Sequence, residues 1–89
     1  MIQIDSVSYD STSQQLTIYV RNLGSTAVEI DEIYIYKSDG TLVTNIDLDQ
    51  NVAIDPNSVG TITLNSESAL NPGTYSYYVK VVTTTTSRG

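Results

Sequence analysis

The sequence predicts an all-β domain of about seven short strands. Three observations carry that expectation. Apolar residues recur at every second position in several short runs, as in Leu16-Ile18-Val20 and Tyr75-Tyr77-Val79-Val81, and period two is the spacing of one face of a strand. Clusters of Gly, Pro, Asn, Asp and Ser separate those runs, and these residues turn a chain at low cost. No segment keeps helical spacing for more than two turns, while Thr, Ser, Val, Ile and Tyr dominate the composition, which favours strand and turn over helix.

The first strand begins at Ile2 and Ile4 and continues through Val7 and Tyr9. Its phase slips between Ile4 and Val7, which calls for a bulge or for a strand that changes sheets. Asp10 to Ser13 forms a turn whose side chains can bond their own backbone. A second strand covers Gln15 to Asn22, with Leu16, Ile18 and Val20 on one face, and Asn22 to Thr26 turns the chain. A third covers Ala27 to Lys37 and slips at Asp31-Glu32, where a bulge would keep both carboxylates in water. Beyond the slip Ile33 and Ile35 point inward and Tyr34 and Tyr36 outward, the two tyrosines roughly 7 Å apart along the strand.

Ser38-Asp39-Gly40 is a hairpin turn, with glycine free to take positive φ. A fourth strand runs from Thr41 to Asp47, and Val52 with Ile54 makes a short fifth. Asp55-Pro56-Asn57 stops it, because proline offers no donor and biases its predecessor away from helix. Val59 to Leu64 is a sixth strand, and Ser66 to Asn71 has room for one helical turn. After the turn Asn71-Pro72-Gly73 the last strand covers Thr74 to Thr84, and the final threonines with Ser87-Arg88-Gly89 read as a frayed end. The expected core is Leu16, Ile18, Val20, Ile62, Leu64, Tyr75 and Val79. About seven such strands fit a single domain over residues 1–89, an immunoglobulin-like antiparallel β-sandwich without the Cys–Trp–Cys signature of true immunoglobulin domains.

Composition narrows the function. The chain has 89 residues, no Cys and no His, so it lacks a thiolate nucleophile, the commonest general base and the commonest metal ligand. The many Ser and Thr have no histidine to activate them, and Lys37 and Lys80 lie on different strands; no catalysis is expected. Four basic residues oppose ten acidic ones, for a net charge of -6. Such a surface repels phosphate backbones and anionic lipid, so neither nucleic acid nor a bare membrane is an expected partner. No apolar run approaches the roughly 20 residues of a membrane helix.

Three groups of residues bear on chemistry. Asp47, Asp49 and Asn51 alternate as at the start of a calcium loop, but Val52 stands where that loop needs glycine and Ser58 where it needs glutamate. A solvated strand face explains them, and no metal or other cofactor is expected. Glu29, Asp31 and Glu32 could split their pKa values for acid–base work if buried, yet beside a strong turn they read as charges that protect a sheet edge. Seven Tyr with no Phe or Trp serve cross-strand packing first and interface contact second.

Two segments carry a family resemblance. Residues 16–36, LTIYVRNLGSTAVEIDEIYIY, resemble the strand, VRN-G-S, strand opening of the globular heads of archaeal type IV pilin-like proteins. Residues 70–89, LNPGTYSYYVKVVTTTTSRG, resemble the closing strand of those heads, and residues 4–15, IDSVSYDSTSQQ, fit their entry. The resemblance implies a hydrophobic N-terminal helix preceding Met1 that anchors the head in membrane or filament, and a location at the archaeal cell surface outside the cytoplasmic membrane. It implies action by protein–protein contact, with other archaellum or pilus proteins, the surface-layer protein or further copies of the chain as partners.

Within the family, filament subunits are often heavily N-glycosylated. None of the asparagines here begins an N-x-Ser/Thr sequon, and the head is small for an archaellin. Both points favour a stator-type archaellum component over a filament subunit such as an archaellin or adhesive pilin. A carbohydrate-binding surface sandwich, stacking sugars on Tyr34, Tyr36 or Tyr78, is the competing class. For partner binding the sequence singles out Tyr34 and Tyr36.

Overall fold

A computed structural model describes residues 1–84. Within them 63% of residues are strand and none is helical. Six strands form: β1 (Ile2–Asp10), β2 (Gln15–Asn22), β3 (Val28–Lys37), β4 (Leu42–Ile54), β5 (Val59–Leu64) and β6 (Tyr77–Thr83). They make two three-stranded antiparallel sheets, ordered β1-β2-β5 and β4-β3-β6.

The count is six and not seven because the expected fourth and fifth strands are one. β4 runs unbroken for 13 residues. Its pairing with β3 does break where the sequence suggests: Glu32 pairs with Asp47 and Ile30 with Val52, so Leu48–Asn51 stand against Asp31 alone. The chain stays extended through that gap because the flanking pairs hold both ends in one sheet. The two phase slips are bulges, one in β1 between Ile4 and Ser6 and one in β3 between Ile30 and Glu32. Asp31, at the second, is half-buried, and its Oδ1 is enclosed without a hydrogen-bond partner. That corrects the expectation that both carboxylates there stay in water, since the bulge turns one of them toward protein.

The core lies between the sheets. Leu16, Ile18 and Val20 of β2 and Ile62 and Leu64 of β5 meet Ile30, Ile33 and Ile35 of β3 and Ile54 of β4, all buried. Five of the expected core residues are among them. Val79 is only half-buried against the cluster, and Tyr75 is 46% exposed. Tyr75 falls outside because β6 begins at Tyr77: the turn at Pro72 carries on until the Tyr75 amide donates to the Asn71 carbonyl. Its ring instead lies under the Lys37 ammonium, 4.0 Å from the centroid, a cation–π contact. Residues 65–76 form no helical turn of the kind expected at Ser66–Asn71 and cross between the sheets as an irregular segment. The closing residues 85–89, read as a frayed end, lie outside the described residues.

The turns follow their side chains. Asp10 Oδ1 accepts from the Thr12 and Ser13 amides at 2.9 and 3.4 Å, and Asp39 Oδ1 from the Thr41 amide at 2.9 Å, with Gly40 at φ 95°. Arg21 grips Asp5 at the β1 bulge, its Nη2 2.8 Å from Oδ2. Hydrogen bonding from Arg21 holds the Asp5 carboxyl below its ordinary pKa, and Thr41 does the same for Asp39. These contributions are present above the unfolded carboxylate pKa and are lost as pH falls through the lower folded values.

One glycine is fixed by close approach. A Cβ on Gly60 of β5 would stand 2.6 Å from Cγ1 and 2.8 Å from Cδ1 of Ile54, itself 2% exposed. Because Ile54 has no room to retreat, Gly60→Ala is expected to cost about 1–3 kcal/mol, the usual range for overpacking, read as a lower midpoint in urea denaturation.

Candidate partner-binding face

The outer face of the β4-β3-β6 sheet is built from the alternation of β3. With Ile33 and Ile35 turned to the core, Glu32, Tyr34 and Tyr36 face out. Register brings Tyr78 of β6 opposite Tyr36, and Lys80 opposite Tyr34. On the other side Asn45 of β4 lies opposite Tyr34, and Leu42 opposite Tyr36.

Three tyrosines therefore form one stack. The Tyr34 and Tyr36 ring centroids are 6.2 Å apart with planes 16° from parallel, and those of Tyr36 and Tyr78 are 5.0 Å apart and 17° from parallel. Tyr34 and Tyr36 stand side by side as the sequence suggests, but each is half-buried by its neighbours. Tyr78 is 48% exposed and Leu42 50% exposed, so the strip continues as aromatic and apolar surface. Tyr78 was legible only as one of three sugar-stacking candidates. Its membership of the stack depends on cross-strand register, which a single sequence does not state.

Charge frames the strip. Glu32 Oε2 accepts from Asn45 Nδ2 at 3.1 Å and from the Tyr34 hydroxyl at 3.4 Å, and Asn45 Nδ2 also reaches the Ile33 carbonyl at 3.3 Å. Repulsion from the Glu32 carboxylate raises the Tyr34 phenol pKa, so Tyr34 stays a neutral hydroxyl donor at physiological pH. Glu32→Gln is expected to bring the Tyr34 titration back toward that of an ordinary tyrosine, measured by NMR at alkaline pH. A Tyr34 pKa unmoved by that change would show that the carboxylate is not the cause.

Stacking determines what the strip can do. Sugar recognition on aromatic platforms uses open ring faces, whereas these rings turn faces toward one another. Ring edges, hydroxyls and the exposed flank of Tyr78 remain for contact, which suits a protein surface.

Asp47, Asp49 and Asn51 are exposed along β4, their alternation being that of the strand, and Asn51 Nδ2 donates to Glu29 Oε1 at 3.1 Å. Among the described residues no group of three or more carboxylates could hold a metal ion, and no helix is long and apolar enough to cross a membrane.

Sequence reasoning missed Asn22. It is 0% exposed, and its side chain joins three segments. Nδ2 donates to the Thr26 carbonyl at 2.8 Å and to the Ile54 carbonyl at 3.1 Å, while Oδ1 accepts from the Gly24 amide at 2.9 Å. The Asn in the VRN-G-S stretch is thus a structural clamp. The available signal was an amide side chain placed in phase with Leu16, Ile18 and Val20. No family model and no curated protein matches the chain.

Proposed function

We propose that this chain is a non-catalytic, extracytoplasmic protein–protein interaction domain of the archaeal motility or pilus apparatus, of the stator type that ties the archaellum motor to the cell envelope. The stacked strip Tyr34–Tyr36–Tyr78 is the observation that supports it. Tyrosines offer large contact area with little side-chain entropy to lose, and cross-strand stacking holds these in place before any partner arrives. The net charge of -6 favours a partner with a neutral or basic surface. The resemblance of residues 16–36 and 70–89 to archaeal pilin-like heads supplies the setting. It makes archaellum or pilus proteins, the surface-layer protein or a second copy the partners to try. Strand order β1-β2-β5 over β4-β3-β6 supports an immunoglobulin-like sandwich, with first, second and fifth strands in one sheet and third and sixth in the other.

The double substitution Tyr34→Ser with Tyr36→Ser tests this reading. It is expected to abolish self-association in analytical ultracentrifugation, or capture of surface-layer or archaellum proteins in a pull-down. Loss of the stacking pairs should cost about 1–2 kcal/mol, a fall in melting temperature of roughly 5–15 °C for a domain of this size. A variant that folds and binds as before would move the interface off this face. Retention of glycans on an array by the native chain, lost in the variant, would favour the carbohydrate reading instead.

A further inference from the structure

The two sheets do not end together. On one side β4 and β5 are joined by the short turn at Asp55–Ser58 and lie close. On the other side β1 and β6 are left as facing edges. Val7 of β1 pairs with Ile18 and so shares its inward face, yet Val7 is 42% exposed where Ile18 is 0% exposed. Ile2 and Ile4 are likewise only half-buried. The sandwich is thus open on this side, with the inner face of β1 only partly covered. Between β1 and β6 is a cavity of about 420 Å³ whose walls include Val7, Tyr9, Leu16, Leu70, Tyr77 and Val79.

The cavity borders the start of an open strand edge, that of β6. The Ser38 amide donates to the Ser76 carbonyl and the Thr84 amide to the Glu29 carbonyl. With the register Tyr36↔Tyr78 and Tyr34↔Lys80, the even-numbered residues here make the bonds to β3. Alternation then directs the N–H and C=O groups of Tyr77, Val79, Val81 and Thr83 away from β3, toward an edge along which no described strand runs. Natural edges are blunted by charge, bulges or proline. β4 carries Asp47 and Asp49, and β1 has its bulge. β6 has no bulge of its own, no proline and, in Lys80, a single charge on the outer face.

We infer that the β6 edge accepts an extended segment of another polypeptide, added antiparallel to β6 as a seventh strand at the open side of the sandwich. Donors and acceptors at every second residue select a strand and not a compact ligand. Alternate side chains of the segment would fill the cavity against Val7 and Tyr9, so they must be apolar. Those between them emerge beside Tyr78 and Lys80, where a carboxylate or hydroxyl complements the ammonium. The inference stands apart from the tyrosine stack, which lies on the outer face.

The test uses the folded chain and a short capped peptide alternating valine with threonine, with one threonine replaced by glutamate and a lysine at each end, followed by amide NMR and hydrogen exchange. The amides of Val79 and Val81 are expected to shift and to gain at least tenfold protection. In the antiparallel arrangement the valine N–H groups face β6, so N-methylation of the valines should abolish binding while N-methylation of the threonines leaves it within about threefold. Val81→Pro, which removes an outward N–H without touching the β3 ladder, should lose the peptide, and Tyr34→Ser with Tyr36→Ser should keep it. The inference fails if both methylated peptides bind alike, if shifts map to the Tyr34–Tyr36 strip and spare the β6 edge, or if the peptide has no effect at millimolar concentration. It fails equally if Val79 and Val81 are protected in the free chain in proportion to its own concentration, which would give the edge to a second copy.

Discussion

Replacing Asn22 by leucine, nearly equal in volume, is expected to destabilise the domain by about 3–5 kcal/mol. The side chain is fully buried and makes three hydrogen bonds, to the Thr26 and Ile54 carbonyls and from the Gly24 amide. Each backbone group left unpaired in the interior costs about 1–3 kcal/mol, and only part of that is recovered if water enters. The same residue pins the chain through its main chain, its amide donating to the Ser58 carbonyl and its carbonyl accepting from the Asn57 amide, both at 2.9 Å. The leucine variant keeps those main-chain bonds but loses the side-chain half of the junction between the β2–β3 loop and the β4–β5 turn. Urea denaturation should show a lower midpoint with an unchanged slope. Asn22→Asp separates hydrogen bonding from volume. It keeps the acceptor for Gly24 but sets a carboxylate against two carbonyl oxygens, so burial raises its folded pKa. That variant should be least stable at neutral pH and regain stability as pH falls through the raised value, when the protonated acid can donate. A leucine variant within about 1 kcal/mol of the native chain would show that the clamp is dispensable.

Local alternation made much of this fold legible. Leu16, Ile18 and Val20 announce a strand with one buried face, and both bulges are visible as slips in apolar phase, at Ile4–Val7 and at Asp31-Glu32. What alternation cannot carry is pairing between distant segments. Leu48–Asn51 looked like a break because it carries Asp49, Gln50 and Asn51, although the strand continues through it. Tyr75 was placed in the core by its phase with Tyr77 and Val79, a phase that ends where the turn after Pro72 holds the backbone. The tyrosine strip was half legible for the same reason: Tyr34 and Tyr36 share a strand, whereas Tyr78 joins them only through register. Gly60 was silent because the side chain that crowds it, Ile54, comes from another strand, and Asn22 showed only its phase, since its bond to the Ile54 carbonyl is equally distant in sequence.

Ile18→Ala should cost about 2–5 kcal/mol, the range for truncating a large aliphatic side chain in a packed core. Ile18 occupies the middle of the central strand of its sheet, pairing with Val7 on one side and Ile62 on the other, and is 0% exposed. The β3 isoleucines that face it across the sandwich are equally buried, so the methyl groups removed leave a cavity that neither sheet can close without losing strand pairing. Against a typical stability of about 5–15 kcal/mol for a domain, that is a large share. Val7→Ala is the internal control. Val7 lies beside Ile18 on the same face but at the open side of the sandwich, at 42% exposure, so its truncation should cost less than about 1 kcal/mol. The two substitutions measure how far the packed interior reaches toward β1, in parallel urea melts of the isolated chain. Unequal costs in that order mean that the interior ends between β2 and β1. Similar costs would mean that β1 is covered in solution, and that the open side of the sandwich is already closed.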